Sequence, residues 1–273
     1  MLEQHAGDFL ELTRKISVER GFGCASYKEK CLRRRIAVRM RARGVHTYHD
    51  YARILDDDAA EYDRLLDALT INVTKLFRNW DAYASMASNV VPDLWRRQAP
   101  EIRVWSAGCS SGDEPYSLAV LFHRFAATNG MLPQISRVNI LGTDIDRQCL
   151  AAAERGQFDE VDFADTPDDL RSRYFTSTAP FTVVPAIKSM VRFERRDLLN
   201  QAPPTEKGLF DLIVCRNVLI YFDRETQERL FDAFHEALVP NGFLVLGKVE
   251  TLLGRARTRF TPVDARERVF RRI

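Results

Sequence analysis

The residues of this chain best suited to chemistry lie at 102–117, Ile-Arg-Val-Trp-Ser-Ala-Gly-Cys-Ser-Ser-Gly-Asp-Glu-Pro-Tyr-Ser. Ile102, Val104 and Trp105 favour a strand, Gly108 and Gly112 permit a sharp turn and a close backbone approach to a ligand, and a helix is expected from Glu114. The Gly-x-x-x-Gly spacing lacks the Gly-x-Gly-x-x-Gly pattern that seats a dinucleotide pyrophosphate on a helix N-terminus. Nicotinamide and flavin cofactors are therefore disfavoured, and a nucleoside without phosphates fits better. Two later segments offer groups for such a ligand. Residues 138–146 form an apolar run ending in Asp144, whose carboxylate can accept both hydroxyls of a ribose. Residues 210–222 form another, with Arg216, Asn217 and Tyr221 at its carboxyl end. Open α/β sheets bind ligands at the carboxyl ends of their strands. Glycine turn, ribose acceptor and polar cluster thus come in the order expected of an S-adenosylmethionine site.

The elements that must position these groups follow from periodicity. Helical spacing is read at 8–19, 27–43, 48–55, 59–69 and 81–97, with Gly44 as the stop of the second helix. Strands and helices then alternate: strand 102–106, helix 114–128, strand 138–143, helix 146–155, strands 190–194 and 210–215, helix 224–238 and strand 242–247. Such alternation predicts an α/β parallel sheet wrapped by helices, and 260–273 alternates as a terminal strand pair. Residues 174–184 read as short strands around a turn. In the second helix, residues 28–43 hold eight basic side chains and one acidic one, with Leu32, Ile36 and Met40 as an apolar stripe. Lys28, Arg35 and Arg39 flank one side of the stripe, Lys30, Arg34 and Arg41 the other. A solvated face with internal ion pairs to the acidic run 56–67 is the ordinary fate of such charge, and a docking face for an acidic partner is the alternative.

Composition narrows the class. With 273 residues and 45% hydrophobic side chains, the chain can build a packed core, and 40 basic against 38 acidic residues give no global bias toward nucleic acid. No apolar run approaches a bilayer span and no signal-peptide core is read near the start, so a cytoplasmic protein without membrane insertion is expected. The five cysteines include no C-x-x-C pair, so neither a disulfide framework nor a metal knuckle is indicated.

The segments 105–117, 143–146 and 215–222, with Asn72-Val-Thr-Lys-Leu-Phe-Arg78 upstream, resemble the CheR family of chemotaxis protein-glutamate O-methyltransferases over nearly the whole chain. The resemblance implies a Rossmann-like S-adenosylmethionine-dependent methyltransferase sheet (residues 81–273), an N-terminal all-helical substrate-recognition domain (1–80) and a small β-subdomain insertion at about 173–189. It implies cofactor contacts from Asn72, Thr74, Arg78, Ala107, Gly108, Glu114, Asp144, Asp197, Leu198, Arg216 and Asn217. Glu114 would take the cofactor's amino group. Arg78 and Tyr221 would act at the reacting centre, and Lys28, Arg35 and Arg39 would meet the substrate. The expected partners are chemoreceptor cytoplasmic helices, the expected product S-adenosylhomocysteine, and the expected state a monomer.

Three positions depart from the family pattern. Leu76-Phe77 replaces a phenylalanine pair, Asp197 replaces an asparagine at the adenine, and Gly247-Lys248-Val249-Glu250 replaces Gly-His-Ser-Glu. A glutamate acceptor is already ionised at neutral pH, so transfer needs placement and loss of water rather than a general base. Two other functions compete with this one. Amino-group methylation of nucleic acid lacks its Asn/Asp-Pro-Pro-Tyr/Phe motif here, and a non-catalytic S-adenosylmethionine-binding adaptor in a signalling array is the other alternative.

Overall fold

The computed structural model describes residues 2–70, 73–206 and 208–273, with side chains from residue 7 onward. Contacts divide the chain into two units, Met1–Ile71 with Tyr221–Thr226, and Asn72–Ile220 with Gln227–Ile273.

The first unit contains α1 (Leu2–Arg20), α2 (Glu29–Ala42), α3 (Tyr48–Asp57) and α4 (Ala59–Leu69). Thr47 and Asp58 cap α3 and α4 by accepting the N–H groups of Asp50 and Glu61, and Gly44, in the left-handed region, follows α2. The predicted stripe Leu32, Ile36 and Met40 is buried with Phe9, Leu12, Ile16, Tyr51, Leu55 and Leu65. The same core encloses a charge. Glu61 is 0% exposed, takes a bidentate bond from Arg39 at 3.0 and 2.6 Å, and accepts the Tyr51 hydroxyl at 2.9 Å. These partners hold its carboxyl below the usual range although burial pushes the other way.

In the second unit, α5 (Trp80–Asn89) and α6 (Val91–Arg96) replace the single helix expected over 81–97. Pro92 lies in the first turn of α6, where its missing N–H costs nothing, and the helix breaks just before it at Val90. The sheet is built from β1 (Ile102–Ala107), β2 (Val138–Asp144), β5 (Val191–Arg195), β6 (Phe210–Cys215), β7 (Leu238–Leu246), β8 (Phe260–Asp264) and β9 (Val269–Arg272). Its order is β5-β2-β1-β6-β7-β9-β8, parallel from β5 to β7 and antiparallel at β9 and β8. The chain runs outward from β1 through β2 to β5 and returns to β6 on the other flank, so the gap between the ends of β1 and β6 is a topological switch point.

Helices α7 (Asp113–Thr128), α8 (Arg147–Arg155), α9 (Asp168–Tyr174), α10 (Pro185–Lys188), α11 (Arg224–Ala237) and α12 (Ala256–Arg259) complete the fold. β1 is buried along its whole length, as expected of a central parallel strand. The small β-element pairs β3 (Gln157–Phe158) with β4 (Phe181–Thr182), so its first strand lies upstream of the expected insertion. Phe158, Phe163, Phe175 and Phe181 form its edge-to-face aromatic core.

Removing Arg39 should leave Glu61 buried without its main partner. Arg39→Ala is expected to cost about 3 kcal/mol in urea unfolding, whereas Arg34→Ala on the exposed side of α2 should stay within about 0.5 kcal/mol. Equal losses would mean that the Arg39–Glu61 pair contributes nothing to the fold.

Candidate active site

Because β5, β2, β1, β6 and β7 run parallel, the groups that follow them gather on one edge. The turn after β1 is pinned to β2, since the N–H groups of Gly108 and Cys109 both donate to the Thr143 carbonyl at 2.8 and 2.9 Å. Gly108 and Gly112 have φ of +79° and +91°, and Ser110 is also left-handed at +49°. The glycines are expected to let the backbone approach a ligand, and the side that each leaves bare is packed against protein. A Cβ on Gly108 would lie 2.6 Å from a Val218 methyl, and one on Gly112 would lie 2.8 Å from the Ala153 Cβ.

Asp144, at the end of β2, accepts the N–H of Ser110 at 2.8 Å through Oδ2 and that of Asp146 at 2.9 Å through Oδ1. Each oxygen keeps a second lone pair for a hydroxyl. Burial raises its pKa while these N–H groups lower it. The cap of α8 is Asp146, which accepts from Gln148 and Cys149 and leaves Asp144 to the site.

Glu114 lies in the first turn of α7. Its Oε1 accepts the Ser106 hydroxyl at 2.8 Å, and its Oε2 stands 3.8 Å from the Arg216 guanidinium. Burial pushes its pKa up to about 7; Arg216, Ser106 and Arg78 pull it down, and the Glu250 charge adds to the rise. A carboxylate so weakly compensated suits an incoming ammonium. Its neighbour Asp113, 1% exposed, is raised by burial to about 6 and has Oδ1 without a partner.

Arg216, 6% exposed, donates to the Arg78 carbonyl at 2.9 Å and lies over the Tyr83 ring at 5.3 Å. It joins the end of β6 to the Arg78 loop. That loop is held at several points. Leu76 N–H donates to the Asp162 carbonyl, Phe77 N–H to Ser117, and Asn79 N–H to Asp165, which also pairs with Lys75 at 2.7 Å. Phe77 and Asn79 are left-handed, so Arg78 sits at a sharp, fixed bend. The Arg78 Nη1 donates to the Val73 carbonyl at 2.7 Å, and among the described residues no carboxylate pairs with its guanidinium. Thr74 is half-buried in the same loop, while Asn72 lies outside the described residues.

Asn217 is left-handed at φ +62°, and its Oδ1 is buried with no hydrogen-bond partner. Asp197 and Leu198 follow β5 beside Asp144, whose carbonyl accepts the Arg196 N–H. Asp197 itself closes a local turn, with Oδ1 on Leu199 N–H and Oδ2 on the Asn200 amide, and each oxygen keeps a second lone pair, as in Asp144. Lys248, where the family has histidine, is exposed.

Tyr221 and the basic helix belong to the other unit. Tyr221 accepts the Lys28 N–H on its carbonyl, and the Arg35 guanidinium lies 5.8 Å from its ring centroid. Arg35 also donates to the Ala68 carbonyl at 2.6 Å, and burial lowers its pKa. Of the three expected substrate contacts, Arg39 is committed to buried Glu61, Arg35 is half-buried and only Lys28 is exposed. The other flank carries the accessible charge, because Lys30, Arg34 and Arg41 are all exposed.

Family models match the two parts of the chain separately. "CheR methyltransferase, SAM binding domain" matches residues 72–269, and "CheR methyltransferase, all-alpha domain" matches 7–70. The chain belongs to the CheR methyltransferase family. The chemotaxis protein methyltransferase of Listeria monocytogenes is 34% identical over 91% of this chain and 92% of its own. That of Borreliella burgdorferi is 30% identical over 92% and 91%. Chemotaxis protein methyltransferase 1 of Pseudomonas aeruginosa is 37% identical over 70% of each. The enzyme is thus an S-adenosylmethionine-dependent methyltransferase, and the residues at the carboxyl edge fit that cofactor. Glu114 offers an under-compensated carboxylate, Asp144 open lone pairs and Asn217 an unpartnered buried oxygen.

Glu250, Ser106 and Asp165 also shape the site and are absent from the sequence-based set. Ser106 could have been found, since it stands two residues before the glycine turn on the central strand.

The Glu114 environment sets a pH dependence. An ammonium needs the ionised carboxylate, so S-adenosylhomocysteine binding below about pH 7 should release a proton and weaken by up to about tenfold per pH unit. In the free protein the sign reverses. The raised pKa gives stability that is full below 4.5 and lost as pH rises through about 7, about 3 kcal/mol from this group. Calorimetry at pH 6 in buffers of different ionisation enthalpy measures the proton. Glu114→Gln should abolish this release and reduce the fall in melting temperature between about pH 5 and 8, the remainder coming from other buried carboxylates such as Asp113, raised to about 6.

Proposed function

We propose that this enzyme methylates glutamate side chains on chemoreceptor helices in chemotaxis. The observation that carries the reading is Arg78, whose backbone is held at a sharp bend and whose guanidinium, close enough to lower the Glu114 pKa, has no carboxylate partner among the described residues. A planar carboxylate, of the cofactor or of the acceptor, matches that fork. When bound, the cofactor supplies a methyl group on a sulfonium. The protein's residues place and desolvate: Glu114 holds the amino group, Asp144 the ribose and Asn217 the adenosine side of the pocket, while Thr74 and the backbone of Ala107 and Gly108 line it.

Asp197 and Leu198 contribute a turn fixed by Leu199 N–H and the Asn200 amide, with the remaining lone pairs of Asp197 open toward the adenine amino group. The acceptor arrives as an anion, so no side chain has to remove a proton, and a dry pocket favours a step in which anion and sulfonium neutralise each other. Tyr221 is assigned to orient the acceptor oxygen, a role that rests on the family motif. Recognition of the acidic receptor helix is assigned to the exposed flank of α2, Lys30, Arg34 and Arg41, and to the exposed Lys28 on the other side of the stripe.

Incubation with labelled S-adenosylmethionine and receptor should give base-labile methyl esters, and Arg78→Ala should lower their rate by about 10²-fold or more. Label in RNA, or no ester with any receptor despite tight cofactor binding, would overturn the assignment. Lys30→Glu, Arg34→Glu and Arg41→Glu together should raise KM for receptor most at low salt and leave S-adenosylhomocysteine affinity unchanged. An unaltered KM at low salt would return this helix to an ordinary solvated face.

A further inference from the structure

Glu250 stands after β7 and is 4% exposed. Its Oε2 accepts the N–H groups of Gly247 at 2.6 Å and Asn217 at 3.0 Å, and its Oε1 accepts that of Ile220 at 3.3 Å. These donors lie in the turns that leave two neighbouring parallel strands, β6 and β7, beyond their last paired residues Cys215 and Leu246. No ladder bond reaches them, so the carboxylate performs that task. The two turns also touch closely. A Cβ on Gly247 would fall 2.8 Å from the Asn217 nitrogen and 2.8 Å from the Glu250 Oε2. Asn217, held in the left-handed region, keeps its Oδ1 buried and unpartnered.

We propose that Glu250 is a positioning residue, which locks the turn of residues 217–220 in the shape that presents Asn217 to the cofactor and does not itself touch that cofactor. The inference rests on the assignment of Asn217 made above. A carboxylate suits the task because both oxygens accept and neither donates. A glutamine would set its amide N–H against a backbone N–H whichever way it is turned, and an unmet buried donor is costly.

The test is calorimetric titration of the full chain with S-adenosylhomocysteine. Misplacement of the turn raises Kd while stoichiometry stays near one; a mere loss of folded protein lowers stoichiometry and leaves Kd alone. Glu250→Gln should raise Kd about tenfold or more at unchanged stoichiometry, since one buried hydrogen bond is worth about that factor. Gly247→Ala, which pushes on the same turn without removing the carboxylate, should do likewise and decides the matter if Glu250→Gln does not fold. An unchanged Kd in the folded variants overturns the inference. Asn217→Ala separates the two levels. If it weakens binding while Glu250→Gln does not, the positioning role alone fails; if neither does, the assignment of Asn217 fails as well.

Discussion

Carboxylates removed from bulk water at the ends of neighbouring strands, and answered by different kinds of donor, organise this molecule. Asp144 is answered by backbone N–H groups of the turn after β1 and of the start of α8. Glu250 is answered by the N–H groups of two turns at once. Glu114 is answered by one hydroxyl and a guanidinium at 3.8 Å, which is too little for its burial. The contrast separates scaffold from site. A buried anion with several short N–H bonds rigidifies what it joins, whereas one left short of partners is a place where a cation gains by binding. Arg216 connects these roles, because its guanidinium reaches both the Arg78 carbonyl and the vicinity of Glu114.

Much of this was legible in the sequence, for reasons that can be named. Strand runs such as 102–106 and 210–215 are apolar because they are covered on both faces, and that pattern survives without any tertiary information. The order of glycine turn, Asp144 and Arg216-Asn217 follows from parallel topology, which sends each strand's carboxyl end to the same edge. What could not be read was long-range commitment. Asp197 is expected at the adenine, and its oxygens also accept from Leu199 and Asn200 to fix the turn that carries them. Gly108 reads locally as a turn glycine, and nothing near it announces that its missing Cβ also makes room for Val218, 110 residues away. Glu250 is shared with the family's Gly-His-Ser-Glu segment, but its reach to Asn217 and Ile220 on another turn is not written in its neighbourhood.

The basic helix α2 shows the same limit in electrostatics. A helical wheel separates two charged flanks but cannot tell which one finds an acidic partner at home. Arg39 meets the only carboxylate in the core of its unit among the described residues, Glu61, and so adds stability rather than a surface field. Lys30, Arg34 and Arg41 are turned to solvent. Charge counted along a sequence therefore overstates what a partner can feel, and fold alone decides the fraction that remains outside.

The excursion at Tyr221–Thr226 bears on how this enzyme can be handled. Within the helical unit, Phe222 bridges Tyr27 and packs edge-on against its ring at 5.0 Å, and Asp223 N–H donates to the Ser26 carbonyl. The polypeptide accordingly crosses between its units three times rather than once. Cutting the gene at residue 71 does not yield two self-sufficient pieces: the helical fragment lacks a strip of its own packing, and the other fragment carries Phe222 stripped of its cover. Any two-part expression or swapping of recognition modules between relatives must transplant this short strip together with the first seventy residues.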